Sequence, residues 1–203
     1  MSVPDHEGAR QYALGRLQSE LPPALTYHSL IHTRDLVMRA AEHLARLEGI
    51  PQEQTDLLVT AAAFHDLGYL VDPANHERAS ARIARETLPA YGFTEEQIGQ
   101  ITSLIMATRL PQQPRNHLEE LLADADLAVL GMDIFMERST ALRAEHAAAG
   151  KTYTDEEWAA SQSQFLKSHH YFSPAARQLF AQGKRENLGK LDALLGRRAV
   201  KSI

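Results

Sequence analysis

Four short segments of the chain concentrate residue types that could do chemistry: YHSLIH, FHDLGY, NHE and LADADLA. Each places histidines or carboxylates beside apolar residues, and burying such groups is costly unless a cation or a hydrogen-bonding partner meets them. A divalent metal ion would satisfy that need, and so would a buried ion pair. The polar residues concerned are His28, His32, His65, Asp66, His76, Asp124 and Asp126.

The spacing inside two of these segments limits the chemistry further. His28 and His32 are four residues apart on a predicted helix, so their side chains project from one face. Ser29 stands where a zincin protease carries its catalytic glutamate, so the pair does not favour a protease. Asp124 and Asp126 lie among leucines and alanines, so at least one of them is expected to face inward and to need a partner.

The elements that must position these residues are predicted to be helices. Apolar residues recur at spacings of three and four along most of the chain, and no alternating strand pattern is present, which predicts an all-α fold. The segment 143–154 is the best candidate for a mobile connection. Helices are predicted over about 27–47, 51–64 and 75–88, with helix starts at the capping boxes Thr94/Gln97 and Thr154/Glu157 and at Asn116 and Ser173.

Length and composition narrow the class of protein. A chain of 203 residues suits one domain, 1–203, with its motif-bearing part at about 26–131 and C-terminal helices at about 154–199 packed on it. The absence of cysteine excludes thiolate zinc sites, iron–sulfur clusters, disulfides and a cysteine nucleophile. Any metal must therefore be held by His, Asp and Glu.

The charge and hydropathy of the chain bear on its partners and location. A net charge of -5 argues against nucleic acid or an anionic membrane as the main partner. No stretch approaches the roughly 18 apolar residues of a membrane span, and MSVPDHEGAR has no apolar signal core. The expected location is the cytoplasm.

The order of the motifs resembles the H…HD…D signature of the HD-domain superfamily of metal-dependent phosphohydrolases. The resemblance runs from about Tyr27 to Gly131 and is closest in AAAFHDLGY and DADLAVLG. It implies a single-domain helical bundle. It also implies one divalent ion, with Mn, Fe, Ni, Co, Mg and Zn left open, held by His32, His65, Asp66 and Asp126.

The resemblance also suggests roles for the neighbouring residues. Related cyclic-nucleotide phosphodiesterases have a similar Tyr-His-Asn-x-x-His stretch in which the second His binds metal and the first donates a proton. By analogy His32 is the ligand and His28 the general acid, and Asp66 and Asp124 also belong to the predicted catalytic group. The family pattern falls on Asp126 and leaves Asp124 as a carboxylate behind the ligands or on the substrate side.

Two further sets of residues are candidates for binding. Binuclear relatives such as the HD-GYP proteins carry extra histidines, so His76 is either a ligand of a second, weaker ion or an exposed residue at a helix start. Thr108 stands where such relatives have another His, which favours one ion. Three cations are candidates for phosphate binding, although such residues are more often solvated charges: Arg34, Arg109 and Lys184.

The predicted function is hydrolysis of a phosphomonoester or phosphodiester, of a nucleotide or related metabolite, by metal-activated water. Two other functions stay open for the same fold. One is a catalytically silent module that binds a nucleotide or a partner, and the other is a binuclear iron oxygenase. The partner expected from the sequence is a small phosphorylated molecule, and the oligomeric state is left open.

Overall fold

The structure is a computed structural model that describes residues 3–199, with side chains to residue 196. Within that range it contains α-helices joined by short helical turns and loops, and no strand, so the all-α prediction is confirmed. The helices are α1 His6–Glu20, α2 Met38–Leu47, α3 Gln52–Phe64, α4 His76–Thr87, α5 Glu95–Ala107, α6 His117–Asp126, α7 Phe135–Ala148, α8 Asp155–Ser168 and α9 Pro174–Ala199.

Most helix starts lie where the sequence places them. Both capping boxes form, with Thr94 accepting from the backbone N–H of Gln97 and Thr154 from that of Glu157. The Asn116 side chain accepts from the backbone N–H of Glu119, so it caps α6 as predicted. These caps satisfy donors that the first helical turn leaves free.

The predicted helix over 27–47 differs from the observed one. Ile31–Val37 is π-helical and continues into α2, and the helical segment begins only at residue 30. A π-helical turn is wider than an α-helical one, and it is often found at functional sites. Tyr27 and His28 lie on a bend just ahead of this helical segment.

Two other parts of the chain also differ from expectation. α1 was not anticipated, although Asp5 caps it and Ala9, Ala13 and Leu17 are buried on its inner face. The segment 143–154 is not simply a connection, because α7 continues through Ala148.

The main core is formed by helices α1 to α6 and the start of α9, and it is centred on α3. Every residue of α3 from Leu57 to Phe64 is buried, because small alanines let neighbouring helices pack on several sides. A smaller apolar cluster joins the end of α6 to α7, α8 and α9, and it consists of Leu127, Leu130, Phe135, Ala159, Leu166 and Leu191.

The assignment of residues 1–203 to one domain, with C-terminal helices packed on the motif-bearing part, stays a prediction. The C-terminal helices do contact the motif-bearing part, through the cluster around Leu130. Residues 1–2 and 200–203 of the predicted domain lie outside the described residues. Among the helices of residues 3–199, none is both long and apolar enough to cross a membrane.

Candidate metal centre

Three elements bring the predicted ligands together. His32 lies in the π-helical segment, His65 and Asp66 directly follow α3, and Asp126 is the last residue of α6. Because the C-terminal half of α3 is buried, the two residues that follow it enter the interior rather than solvent. His65 is 1% exposed and Asp66 is 3% exposed.

The four side chains converge on one point. His32 Nε2 lies 3.5 Å from Asp66 Oδ2 and 3.3 Å from Asp126 Oδ1. His65 Nε2 lies 3.3 Å from Asp66 Oδ2 and 3.4 Å from Asp126 Oδ1. Ligand atoms bound about 2.1 Å from a shared ion are separated by roughly 3.0–3.4 Å, so this spacing matches a common cation.

Hydrogen bonding shows that the donor set fits a divalent ion. His65 Nδ1 lies 2.8 Å from the carbonyl oxygen of Ala62, so Nδ1 carries a proton and Nε2 is the ring nitrogen that faces the cluster. His65 Nε2 and Asp66 Oδ2 are buried and make no hydrogen bond, although they are within ion-pair distance of each other. Buried polar atoms without partners are unfavourable, and a bound cation would satisfy both.

The electrostatics of the cluster favour ionised carboxylates. Burial alone would raise the pKa of Asp66, but His65 and the other imidazoles outweigh it and lower that pKa. The pKa of Asp126 is lowered in the same way by His32 and His65. Burial lowers the pKa of His32, whereas for His65 the two carboxylates overcome burial and raise the pKa well above its usual value.

His28 is positioned beside the cluster by α7. Its Nδ1 lies 2.5 Å from Glu145 Oε1, and the backbone N–H groups of Tyr27 and His28 donate to Glu145 Oε2 at 2.8 and 3.1 Å. The His28 hydrogen bond lowers the pKa of Glu145 against the opposing effect of burial, so the glutamate is charged. Arg138 lies two turns earlier on α7. It donates to the Tyr27 carbonyl oxygen, and its guanidinium group lies over the Tyr27 ring.

Sequence reasoning missed Glu145 because it lies 117 residues from His28. Its one local signal is a charged residue among the alanines of RAEHAAA, which by itself looks solvated. Tyr69 was also missed, although it belongs to the FHDLGY motif. Its hydroxyl lies 3.0 Å from His28 Nε2, and its ring stacks on His28 at a centroid distance of 4.1 Å.

His76 also lies next to the cluster. Its Nε2 is 3.9 Å from Asp66 Oδ1 and 3.6 Å from Glu77 Oε1, and its ring stacks on Tyr69 at 4.2 Å. Asp66 therefore directs one oxygen toward the four-residue cluster and the other toward His76.

Asp124 does not join the four-residue cluster, and its role in catalysis stays a prediction. Its Oδ1 accepts from the backbone N–H of Phe172 at 2.8 Å, and its Oδ2 from that of Ser173 at 2.7 Å. Burial raises the pKa of Asp124, and these hydrogen bonds offset part of that effect. Asp124 and Asp126 are two residues apart on α6, so their side chains face different sides of the helix. Asp126 faces the cluster, and Asp124 faces the start of α9.

Two of the three candidate phosphate-binding cations lie elsewhere. Arg34 is exposed and donates to the neighbouring Asp35 at 2.8 Å and 3.0 Å. Lys184 donates to the carbonyl oxygen of His169 and lies over the Tyr171 ring. Arg109 differs, since it lines the cavity beside the cluster and has no ion pair among the described residues.

A cavity of about 670 Å³ opens onto the cluster. A second groove of about 810 Å³ is larger in volume, but none of the four converging residues lines it, so the smaller cavity is the one that opens onto the cluster. Four residues beside or within the cluster form one part of its wall, namely His28, Asp66, His76 and Asp126, and α7 and α8 supply much of the rest.

Comparison with known proteins identifies the family. Residues 30–128 match the HD domain, so this part of the chain belongs to the HD-domain superfamily. Among curated proteins, no sequence matches significantly. His28 and Glu145 both lie outside the matched range.

Solved structures share the fold at low sequence identity. A protein from Lactobacillus plantarum is 18% identical with a TM-score of 0.71, covering 96% of this chain and 97% of that one. A predicted HD superfamily hydrolase from an uncultured Thermotogales bacterium is 16% identical with a TM-score of 0.61, covering 98% and 94%. Bacillus subtilis YpgQ, solved in complex with ADP, is 18% identical with a TM-score of 0.65, covering 98% and 96%.

Proposed function

We propose that this protein is a metal-dependent phosphohydrolase that cleaves a phosphomonoester or phosphodiester of a nucleotide or related metabolite. The observation that carries the proposal is the convergence of His32, His65, Asp66 and Asp126 within ion-pair distances. Two imidazoles and two carboxylates suit a first-row divalent ion and leave coordination positions for solvent and substrate.

The protein's own residues prepare this site for a cation. The Ala62 carbonyl fixes the His65 ring so that Nε2 faces inward, and the lowered pKa values of Asp66 and Asp126 keep both carboxylates charged. A divalent ion bound there would lower the pKa of a water ligand and offset negative charge on phosphoryl oxygens.

We propose His28 as the group that delivers a proton to the leaving oxygen. Glu145 accepts from Nδ1, which orients the ring, while Nε2 lies 3.0 Å from the Tyr69 hydroxyl on the cavity side. Burial raises the pKa of Tyr69, so its hydroxyl stays protonated and can hydrogen-bond the same oxygen. General acid catalysis of this kind contributes typically 10²–10⁴-fold.

Nucleotide binding is supported by the cavity and by one related structure. A phosphate chain next to the cluster would reach Arg109, which lines the same cavity. Aromatic and apolar residues of α7 and α8 provide a surface for a base. YpgQ, which shares this fold, was solved with ADP bound.

We further propose one tightly held ion, with His76 as a ligand of a second, weaker one. Asp66 Oδ1 lies 3.9 Å from His76 Nε2, so a second cation there would share Asp66 with the first. Thr108 lines the cavity without offering an imidazole, which leaves this second position poor in ligands.

Metal analysis and a phosphate-release screen test the proposed function. Protein loaded with Mn, Fe, Ni, Co, Mg or Zn is assayed on nucleotides, cyclic nucleotides and sugar phosphates. Asp66→Ala should lose both metal and turnover, whereas the exposed Asp133→Ala should keep both. Equal behaviour of wild type and Asp66→Ala would refute the proposal.

The same experiment separates the two alternatives. A silent binding module would bind nucleotide without releasing phosphate. A binuclear oxygenase would hold two irons per chain and consume oxygen without releasing phosphate.

A further inference from the structure

We propose that the groove along α4 and α5 is a second binding site, which takes a small anion carrying several phosphates. The groove has a volume of about 810 Å³ and differs from the cavity that opens onto the metal centre. Of the described residues, only Arg109 and Leu110 line both. The inference does not depend on the proposed function, because none of the four converging residues takes part in it.

The wall of this groove is rich in arginine. Four guanidinium groups line it, and Glu119 is the one carboxylate among the described residues of the wall. The arginines are Arg82 and Arg85 of α4, and Arg109 and Arg115 of the segment before α6. The whole chain has a net charge of -5, so this concentration of positive charge is a local feature. A concave surface lined by charges of one sign attracts ions of the other sign.

Most of this positive charge is not neutralised by the protein. Among the described residues, Arg82 and Arg109 have no hydrogen-bonding or ion-pair partner. Arg85 Nη1 lies 3.6 Å from Glu95 Oε2, but both side chains are exposed, so solvent screens this pair. Guanidinium groups match the geometry of phosphate oxygens, so a phosphorylated anion is the ligand class that suits the groove.

A buried carboxylate fixes another part of the wall. Glu119 is 1% exposed, and its Oε1 accepts from the Ser103 hydroxyl at 2.6 Å and from Arg115 Nη2 at 3.0 Å. Burial would raise the pKa of Glu119, but Arg115 and Ser103 outweigh it and lower that pKa. The charged carboxylate therefore positions Arg115, whose side chain stays 72% exposed.

Helix stability does not explain the arginines of α4. Arg78, Arg82 and Arg85 recur at spacings of four and three, so they share one face of the helix. Like charges at such spacings repel each other and weaken a helix slightly. An anion in the groove would offset this repulsion. One with several phosphates can contact arginines of α4 and of the segment before α6 together.

Small residues give this anion room. Ala81, Gly99 and Ala107 line the groove, and a Cβ atom on Gly99 would meet nothing within 4 Å. A larger side chain at Gly99 would therefore occupy the groove while leaving every charge in place.

Binding of tripolyphosphate tests the inference. The protein is freed of metal by dialysis against a chelator and then against metal-free buffer, so that no bound cation can hold the anion. Calorimetry then compares tripolyphosphate with orthophosphate. Wild type should bind tripolyphosphate at least about tenfold more tightly, because several phosphates reach more than one guanidinium group.

Three variants locate the site. The double change Arg82→Ala and Arg85→Ala removes two exposed guanidinium groups and should raise the Kd for tripolyphosphate by about tenfold or more. Gly99→Leu fills the groove without changing the charge and should raise the Kd by a similar factor. Arg185→Ala removes an exposed arginine of α9 that lines neither cavity, so it should bind as wild type does. Thermal melting checks that each variant is folded.

Several results would overturn the inference. They are the absence of saturable binding by wild type, equal affinity for the two anions, and wild-type affinity in folded Gly99→Leu. Equal weakening in Arg185→Ala and in the double variant would also overturn it, because attraction to the whole surface would then explain the binding.

The outcome is independent of the proposed function. If metal-loaded protein releases phosphate from nucleotides while metal-free protein does not bind tripolyphosphate, the function stands and the inference fails. If tripolyphosphate binds as expected and no substrate is hydrolysed, the inference stands and the function fails.

Discussion

At the scale of single residues, short hydrogen bonds set what each histidine can do. The Ala62 carbonyl holds His65 with Nε2 inward, which suits a ligand. Glu145 holds His28 with Nε2 toward Tyr69 and the cavity, which suits a proton donor. The two imidazoles are thus suited to different functions because their anchoring groups differ, one being a neutral carbonyl and the other a carboxylate.

Replacing His28 with Asn should separate proton donation from metal binding. We expect turnover to fall by about 10²–10⁴-fold, the usual contribution of a positioned general acid. Metal content should stay at the wild-type level, because His28 lies outside the four-residue cluster. Elemental analysis and steady-state rates on one preparation check this, and loss of the metal would make His28 a ligand instead.

Replacing Asp124 with Ala should affect stability and leave metal binding intact. The change removes an acceptor from the backbone N–H groups of Phe172 and Ser173, of which Ser173 is fully buried. We expect the free energy of unfolding to fall by about 2–4 kcal/mol, measured by denaturant titration. Asp133→Ala, at an exposed position, is the control, and lost metal in Asp124→Ala would return that residue to the site.

At the scale of elements, α9 packs closely on the turn at Gly131. A Cβ atom on Gly183 would lie 2.0 Å from the Gly131 carbonyl oxygen, so only glycine fits there. By contrast, a Cβ atom on Gly189 of the same helix would meet nothing within 4 Å. The two glycines therefore offer a matched pair for testing the docking of α9.

Gly183→Ala should lower the free energy of unfolding by about 1–3 kcal/mol, because the backbone contact at Gly131 must open. Gly189→Ala should raise it by about 0.5–1 kcal/mol through better helix propensity. Thermal or denaturant unfolding of both variants checks the difference in sign. Equal effects would mean that α9 does not pack on this turn.

At the scale of the whole molecule, metal binding should couple to folding and to pH. The ligands come from three separate elements, so the unfolded chain has no preformed site. Free metal at one hundred times its Kd should then stabilise the fold by about 2.7 kcal/mol, seen as a higher Tm that a chelator reverses.

The size of this stabilisation should increase with pH. The pKa of His65 is raised in the metal-free protein, so its charged form adds stability below its ordinary value of 6.5, and that stability is lost as pH rises through the raised pKa. A metal ion must displace the proton of the charged His65 imidazole, so metal binding is strongest at high pH, where that proton is already lost. Comparing the Tm shift at about pH 6 and about pH 8 tests this, and a smaller shift at the higher pH would contradict it.

The sequence by itself determined the helical class, the order of the motifs and the main helix caps. Periodic apolar spacing and the Thr94 and Thr154 capping boxes depend on residues within one or two turns, so local physics is enough to read them. The family resemblance also named the four residues that the structure brings together. The sequence did not reveal α1, whose inner face carries small alanines and little apolar contrast.

Only the tertiary structure decided how neighbouring residues divide their roles. It turned Asp124 toward Phe172 and Ser173 rather than toward Asp126, and it placed Glu145 on His28 across 117 residues. Such contacts depend on how helices dock, and no local spacing in the chain encodes the direction in which a buried carboxylate finds its donors.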